Sequence, residues 1–376
     1  MQGTRLAIPS LTGIRGIAAA WVLLFHLRGV LASLPGFSWL QNLPIVVTGW
    51  SGVDMFFVLS GFVLMRAHSA EFAALQARPI IRFGIVRFAR VYPVSIAVLA
   101  LIVLLVTADH GFTAWYRHQH LGNLTSRAFL KTVFLATRWF LPGTHGDWNQ
   151  PVWSLSIEIL GYVAFPVIAW LLARRSWGTA LATAVACLGA LALYQTLSHV
   201  DLDEFDQRNA VIRMGCCFVA GAALARAVAV APERLAAGSA MLSICAVGVI
   251  LAGCLLPWVT VALPFAYATL ILALAFQRGP IDRALSAPVA QFLGRISFPL
   301  YLLHVMPLLW LGYHLRIAHA PVFISVISAS LYVALAIGVA TVLNVAVERP
   351  SHRWGRRWTQ RDSPEHATWA LRSTPP

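Results

Sequence analysis

Charge is scarce in this chain, and lysine is almost missing. Only 11% of the 376 residues are charged, and Lys131 is the single lysine among 28 basic residues. Soluble domains carry roughly 25% charged residues. With 59% hydrophobic residues and a mean hydropathy of +0.73, the shortage excludes an ordinary soluble fold, because one core cannot hide that much apolar surface. The five cysteines (Cys187, Cys216, Cys217, Cys245, Cys254) all fall inside apolar runs. None has metal-ligand spacing, and none is placed to staple loops together. No internal repeat and no low-complexity tract is present. The net charge of +14 consists almost wholly of arginine set between apolar runs and in the tail. No basic helix or RNA-binding signature interleaves it, so it reads as topological charge and not as a nucleic-acid surface.

What the chain does have is a series of runs long enough to cross a hydrocarbon layer of about 30 Å. Ten spans are expected, near 14–34, 46–65, 91–107, 151–172, 178–198, 210–229, 238–256, 258–276, 297–315 and 321–347. The expectation is therefore an all-α integral membrane protein, with residues 1–350 as one transmembrane domain and 351–376 as a disordered cytoplasmic tail. With the N-terminus inside, 20 of the 28 basic residues fall on the cytoplasmic side, so both termini are expected there. The acidic stretch from Asp201 to Asp206 then lies outside. In the long outer loop, Lys131 and Arg138 are seven residues apart and predict one face of an interfacial helix over 128–141. His118 and His120 in the same loop lack a third ligand at a telling spacing, and no metal is expected.

Ionisable groups inside spanning helices are costly and point to function. Arg15, His26, Asp54, Glu158 and His304 stand out. Arg15 and His26 are eleven residues apart, which is three helical turns plus about 20°, so both project from one face with roughly 16 Å between them. Counting depths along each helix places His26 and Asp54 at about 12 Å from the outer surface and Glu158 at about 10 Å. The expected arrangement is a histidine base with carboxylates beside it to stabilise its charged form. On the cytoplasmic side Arg82, Arg87 and Arg90 precede Pro93, and clustered guanidinium groups near Arg15 suit phosphate. Tyr301 and His304 are candidates to line a tunnel between the two regions.

Several stretches resemble, in order along the chain, the membrane-bound acyltransferase type-3 family that includes O-antigen acetylases and macrolide acyltransferases. They are LTGIRGIAAAWVLLFH (11–26), GVDMFFVLSGF (52–62), RFARVYP (87–93), WSLSIE (153–158), GRISFPLYLLH (294–304) and the closing ERP (348–350). The resemblance implies a bundle that takes an acyl group from cytoplasmic acyl-CoA and passes it to a hydroxyl, usually of a sugar, in a bacterial plasma membrane. Acyl-CoA is a donor substrate there, and no permanently bound cofactor is implied. It assigns Arg15 and His26 as the essential pair, Arg87 and Arg90 as donor contacts and Glu158 as a site carboxylate. Gly52, Ser60 and Gly61 are expected to leave room for the donor's pantetheine arm. A proton-coupled transporter using His26, Asp54 and Glu158 as a relay is the alternative. The missing internal repeat speaks against it.

Overall fold

The computed structural model describes residues 8–32, 37–119, 121, 123–139, 148–198, 207–230, 236 and 238–361. Helix is their dominant structure, with no strand among them. In chain order the helices are α1 (Pro9–Leu31), α2 (Gly52–His68), α3 (Ala77–Ala108), α4 (His110–His118), α5 (Ser126–Val133), α6 (Val152–Ala173), α7 (Trp177–Ser198), α8 (Gln207–Val230), α9 (Ser239–Leu255), α10 (Leu263–Leu274), α11 (Pro280–Leu285), α12 (Pro288–Leu303), α13 (Val305–Ile317), α14 (Val322–Leu343) and α15 (Arg349–Arg361). Among the described residues seven helices are long and apolar enough to cross a membrane, and α12 with α13 forms an eighth candidate bent by 62°. The apolar runs expected near 238–256 and 258–276 are shorter helices, below that length. Side chains on the outer faces are apolar: Leu197 of α7 is 70% exposed and Phe323 of α14 is 72% exposed. Such surfaces are stable only against lipid.

Helices approach through glycine, as membrane bundles require. Gly61 of α2 and Gly221 of α8 interlock reciprocally. A Cβ added to Gly61 would meet the Phe218 carbonyl oxygen at 1.9 Å, and one on Gly221 would meet that of Val58 at the same distance. Gly13 and Gly16 of α1 stand in the same way against Leu285 and against Leu293 and Gly294. Gly61 therefore spends its missing side chain on helix packing and leaves no room there for a ligand. Gly52 does likewise, closed off by Val22 and Ala18 of α1.

Three further expectations change. The basic motif before Pro93 is not loop but the opening turns of α3, a helix of 32 residues. At about 1.5 Å per residue it is roughly 48 Å long, well beyond the hydrocarbon thickness. In the outer loop α5 ends at Val133, and Leu135 takes a left-handed φ of 53°. Lys131 and Arg138 thus share no helix face; Arg138 is buried and its backbone N–H donates to Ser156 Oγ at 3.0 Å. Residues 140 and 141 of that expected helix, His120, and the acidic stretch 201–206 lie outside the described residues. Residues 351–361, expected as disordered tail, continue α14 through a π-helical turn at Asn344–Glu348 into α15; 362–376 lie outside the described residues.

One polar clasp joins α3 and α4 to α13. Asp109 caps α4 by accepting the Phe112 N–H at 2.8 Å, and its other oxygen accepts Trp310 Nε1 at 2.8 Å and His314 Nε2 at 2.7 Å. The Phe112 N–H and then the His314 contact hold the Asp109 carboxyl below its ordinary value. A depressed carboxylate stabilises the fold above its unfolded value and loses that contribution as pH falls through the folded one. The thermal midpoint of wild type is therefore expected to exceed that of Asp109→Asn above about pH 4, with the gap closing below it in a fluorimetric melt. A gap unchanged into strong acid would refute the carboxylate's role.

Candidate active site

Residues from five helices enclose a cleft of about 890 Å³, counting its open mouth. Arg15 enters from α1, Ser60 from α2, Arg87 and Arg90 from α3, Ser154, Glu158 and Tyr162 from α6, and Tyr301 from α12. The local reasons are helical spacing. Arg87 and Arg90 are three apart and so share a face, whereas Arg82 lies about 140° round from Arg87 and does not line the cleft. Glu158 and Tyr162 are four apart and also share a face.

Glu158 is held on two sides. Ser60 donates to its Oε1 at 2.5 Å, and Tyr162 donates a further hydrogen bond. Arg15 lies within electrostatic reach of Arg90, Glu348, Glu158 and Tyr162. Arg87 stacks its guanidinium over the Phe83 ring at 5.6 Å from the centroid. Three arginines thus meet one cleft carboxylate, with Glu348 of the closing ERP nearby. Glu348 itself accepts from Asn344 Nδ2 at 2.7 Å, and the same amide donates to the Arg295 carbonyl at 2.8 Å. The net positive lining suits an anionic ligand.

His26 is elsewhere, and its partner is not a carboxylate. His304 stands at the break between α12 and α13, with Nε2 at 3.1 Å from His26 Nδ1. The break has a sequence cause: Pro307 in the first turn of α13 has no N–H to bond the Leu303 carbonyl, and at the break Tyr332 OH donates to the His304 carbonyl. The hydrogen bonds also settle the tautomers. His304 Nδ1 is 2.7 Å from the Tyr301 carbonyl, which only accepts, so that nitrogen carries the proton and Nε2 offers a lone pair. His26 Nδ1 lies 2.9 Å from the Val22 carbonyl and faces the His304 lone pair as well, so it carries its own proton. The basic nitrogen of His26 is therefore Nε2. Tyr301 links the two regions, lining the cleft, sharing its hydroxyl with Ser154 Oγ at 2.8 Å and packing 5.8 Å from the His304 ring.

Asp54 belongs to neither region. It forms a two-pronged ion pair with Arg213 of α8, Nε to Oδ1 at 3.0 Å and Nη2 to Oδ2 at 3.1 Å. Arg213 in turn lies 5.2 Å and 5.9 Å from the Trp50 and Trp153 ring centroids. The three expected neighbours have separate partners: His26 meets His304, Asp54 pairs with Arg213, and Glu158 accepts from Ser60. Neither carboxylate is among the charges acting on His26. Counting depth along each helix gives no information on which way a side chain faces. Reasoning from sequence missed Arg213, Ser60 as a partner of Glu158, and Tyr162. An arginine inside the apolar run 210–229 was the available signal for the first.

Residues 8–346 match the family model described as an acyltransferase domain. The chain is 28% identical over 390 aligned residues to the acyltransferase MdmB of Streptomyces mycarofaciens, covering 96% of each. It is also 29% identical over 182 residues to the peptidoglycan O-acetyltransferase OatA of Listeria monocytogenes, and 26% identical over 175 residues to the O-acetyltransferase OatA of Staphylococcus aureus. Those matches cover 46% and 45% of this chain, and the chain spans about a quarter of the length of either OatA protein, 26% in each case. No solved structure matches. With a family match over almost its whole length, a helical bundle of membrane-spanning length and an arginine-lined cleft beside a paired histidine, the chain belongs to the family of membrane-embedded acyltransferases.

Proposed function

We propose that the protein moves an acetyl group from cytoplasmic acyl-CoA to a hydroxyl of a cell-surface sugar or a related acceptor, as a multi-pass enzyme of a bacterial plasma membrane. The observation that carries the reading is the cleft in which Arg15, Arg87 and Arg90 converge, with His26 on the Arg15 face of the same continuous helix. The roughly 16 Å between Arg15 and His26 is comparable with the length of a pantetheine arm. In this reading the arginines hold the donor's phosphates and the thioester reaches towards His26. The acetyl group is favoured by the names of the two O-acetyltransferases, one of them a peptidoglycan enzyme. The two short helices and the bent pair each count as one crossing, so that ten spans leave both termini cytoplasmic.

The chemistry follows from the tautomer. His26 Nε2 takes the acceptor's hydroxyl proton as the oxygen attacks the thioester carbonyl carbon. The carbon–sulfur bond breaks, and the departing thiolate receives that proton back from His26. The imidazolium that forms between the two steps keeps its Nδ1–H against Val22 and His304, which accept it. Glu158 balances part of the arginine charge and is not the base.

The test is mass spectrometry of surface glycans and secreted small molecules from producing cells and from a deletion strain, both fed isotopically labelled acetate. A labelled increment of one acetyl group confined to producing cells is expected. If none appears, and the purified protein turns over no radiolabelled acetyl-CoA either, the proposal fails.

A further inference from the structure

Helix α15 has no part in the chemistry above, yet it lies against the arginine motif. A Cβ added to Gly355 would stand 2.6 Å from the Cβ of Ala89, and Ala89 is flanked by Arg87 and Arg90 in α3. Only glycine lets the two backbones approach that closely. His352, half-buried on α15, is within electrostatic reach of Arg87, Arg90 and Arg356. Arg356 follows it by one helical turn on the same face and is exposed. Arg353, Trp354, Arg357 and Trp358 are exposed too, but their positions on the wheel turn them away from His352.

The charge balance at this end of the molecule is lopsided. Arg15, Arg87 and Arg90 gather near Glu158 and Glu348, Arg356 joins Arg87 and Arg90 around His352, and α15 itself contains no acidic residue. Holding like charges together costs free energy that a bound anion would offset. The arginines lining the cleft suffice for a diphosphate. His352 and Arg356 are not among the residues lining the cleft, but His352 is within reach of Arg87 and Arg90, so the pair is placed to meet a further phosphate on the same ligand.

We propose that His352 and Arg356 form an outer phosphate-monoester site that reads the ribose 3′-phosphate of the nucleotide donor, extending the diphosphate site of Arg15, Arg87 and Arg90. The site deepens the acyl-CoA reading and rests on it. It gives the carboxy-terminal helix a function in choosing the donor, and it explains why Gly355 must keep α15 pressed on α3.

The measurement is calorimetric binding of coenzyme A and of 3′-dephospho-coenzyme A to the purified full chain in nanodiscs, with melting curves to verify folding. Wild type is expected to bind coenzyme A about tenfold or more tightly than its dephospho form, the worth of one charge-assisted contact. Arg356→Gln brings that ratio close to one. Arg357→Gln, on the other face, keeps it. The same ratio in Arg356→Gln as in wild type, or equal binding of the two compounds by wild type, overturns the site. If neither compound binds wild type, it is the acyl-CoA donor itself that fails, a distinct result. Discrimination that disappears when phosphatidylglycerol replaces phosphatidylcholine assigns the site to lipid headgroups and also overturns the proposal.

Discussion

Replacing His26 by alanine is expected to lower the rate of acyl transfer by about 10²–10⁴-fold, the usual worth of a positioned general base. The protein should still accumulate in the membrane. Helix α1 is anchored by Gly13, Gly16 and Ala18 against its neighbours, and the His26 side chain is only partly buried. Donor binding should survive, because Arg15 lies some three turns away along α1 and Arg87 and Arg90 stand on α3, with His26 outside the cleft lining. The companion residue sharpens the test. His304→Leu removes the lone pair that faces His26 Nδ1, leaving Val22 as the sole acceptor, and should lower kcat with little change in the donor's KM. His304→Gln restores an acceptor oxygen at that place and should recover part of the loss. Full activity in His26→Ala would remove the base from the mechanism. Equal losses in the leucine and glutamine variants would reduce His304 to packing.

The membrane class, the helical periodicity and the residues of the cleft were legible in the sequence, because each depends on composition or on spacing along one helix. The Arg15–His26 face rests on the 3.6-residue repeat, Glu158 on its being an ionisable group in an apolar run, and Arg87 and Arg90 on the clustering of basic residues before Pro93. Relations between helices were not legible. His304 was read as tunnel lining, when the bend after it turns its ring onto His26. The run 297–315 was read as one span, and even a proline such as Pro307 does not announce the direction of a bend. Asp54 pairs with Arg213 of α8 and Glu158 accepts from Ser60 of α2, and no spacing along a single helix encodes either partner. Depth can be counted from a helix end; azimuth depends on which helix packs where. The same limit hid the role of Gly61, whose partner is a carbonyl on α8, more than 150 residues away in the chain.

The Asp54–Arg213 pair yields the other large effect, this one on stability. Both side chains are almost wholly buried, with 0% and 3% of their surfaces exposed. Removing one partner strands the other as an uncompensated buried charge, at a cost of about 3–5 kcal/mol. Asp54→Leu and Arg213→Leu are each expected to lower the thermal midpoint sharply and to reduce the amount of protein recovered in detergent. Replacing both together, as Asp54→Leu with Arg213→Met, removes the charges along with their desolvation and should restore most of the loss. The cation–π contacts with Trp50 and Trp153 are the part it cannot restore, worth roughly 0.5–2 kcal/mol. Single variants that melt like wild type would show that the pair does not hold α2 to α8. The double variant also decides what Asp54 is for. If the pair is a fastener, a folded double variant retains transfer within a few-fold of wild type. If it folds and is inactive, Asp54 or Arg213 takes part in the reaction, and the site extends across α2 to α8.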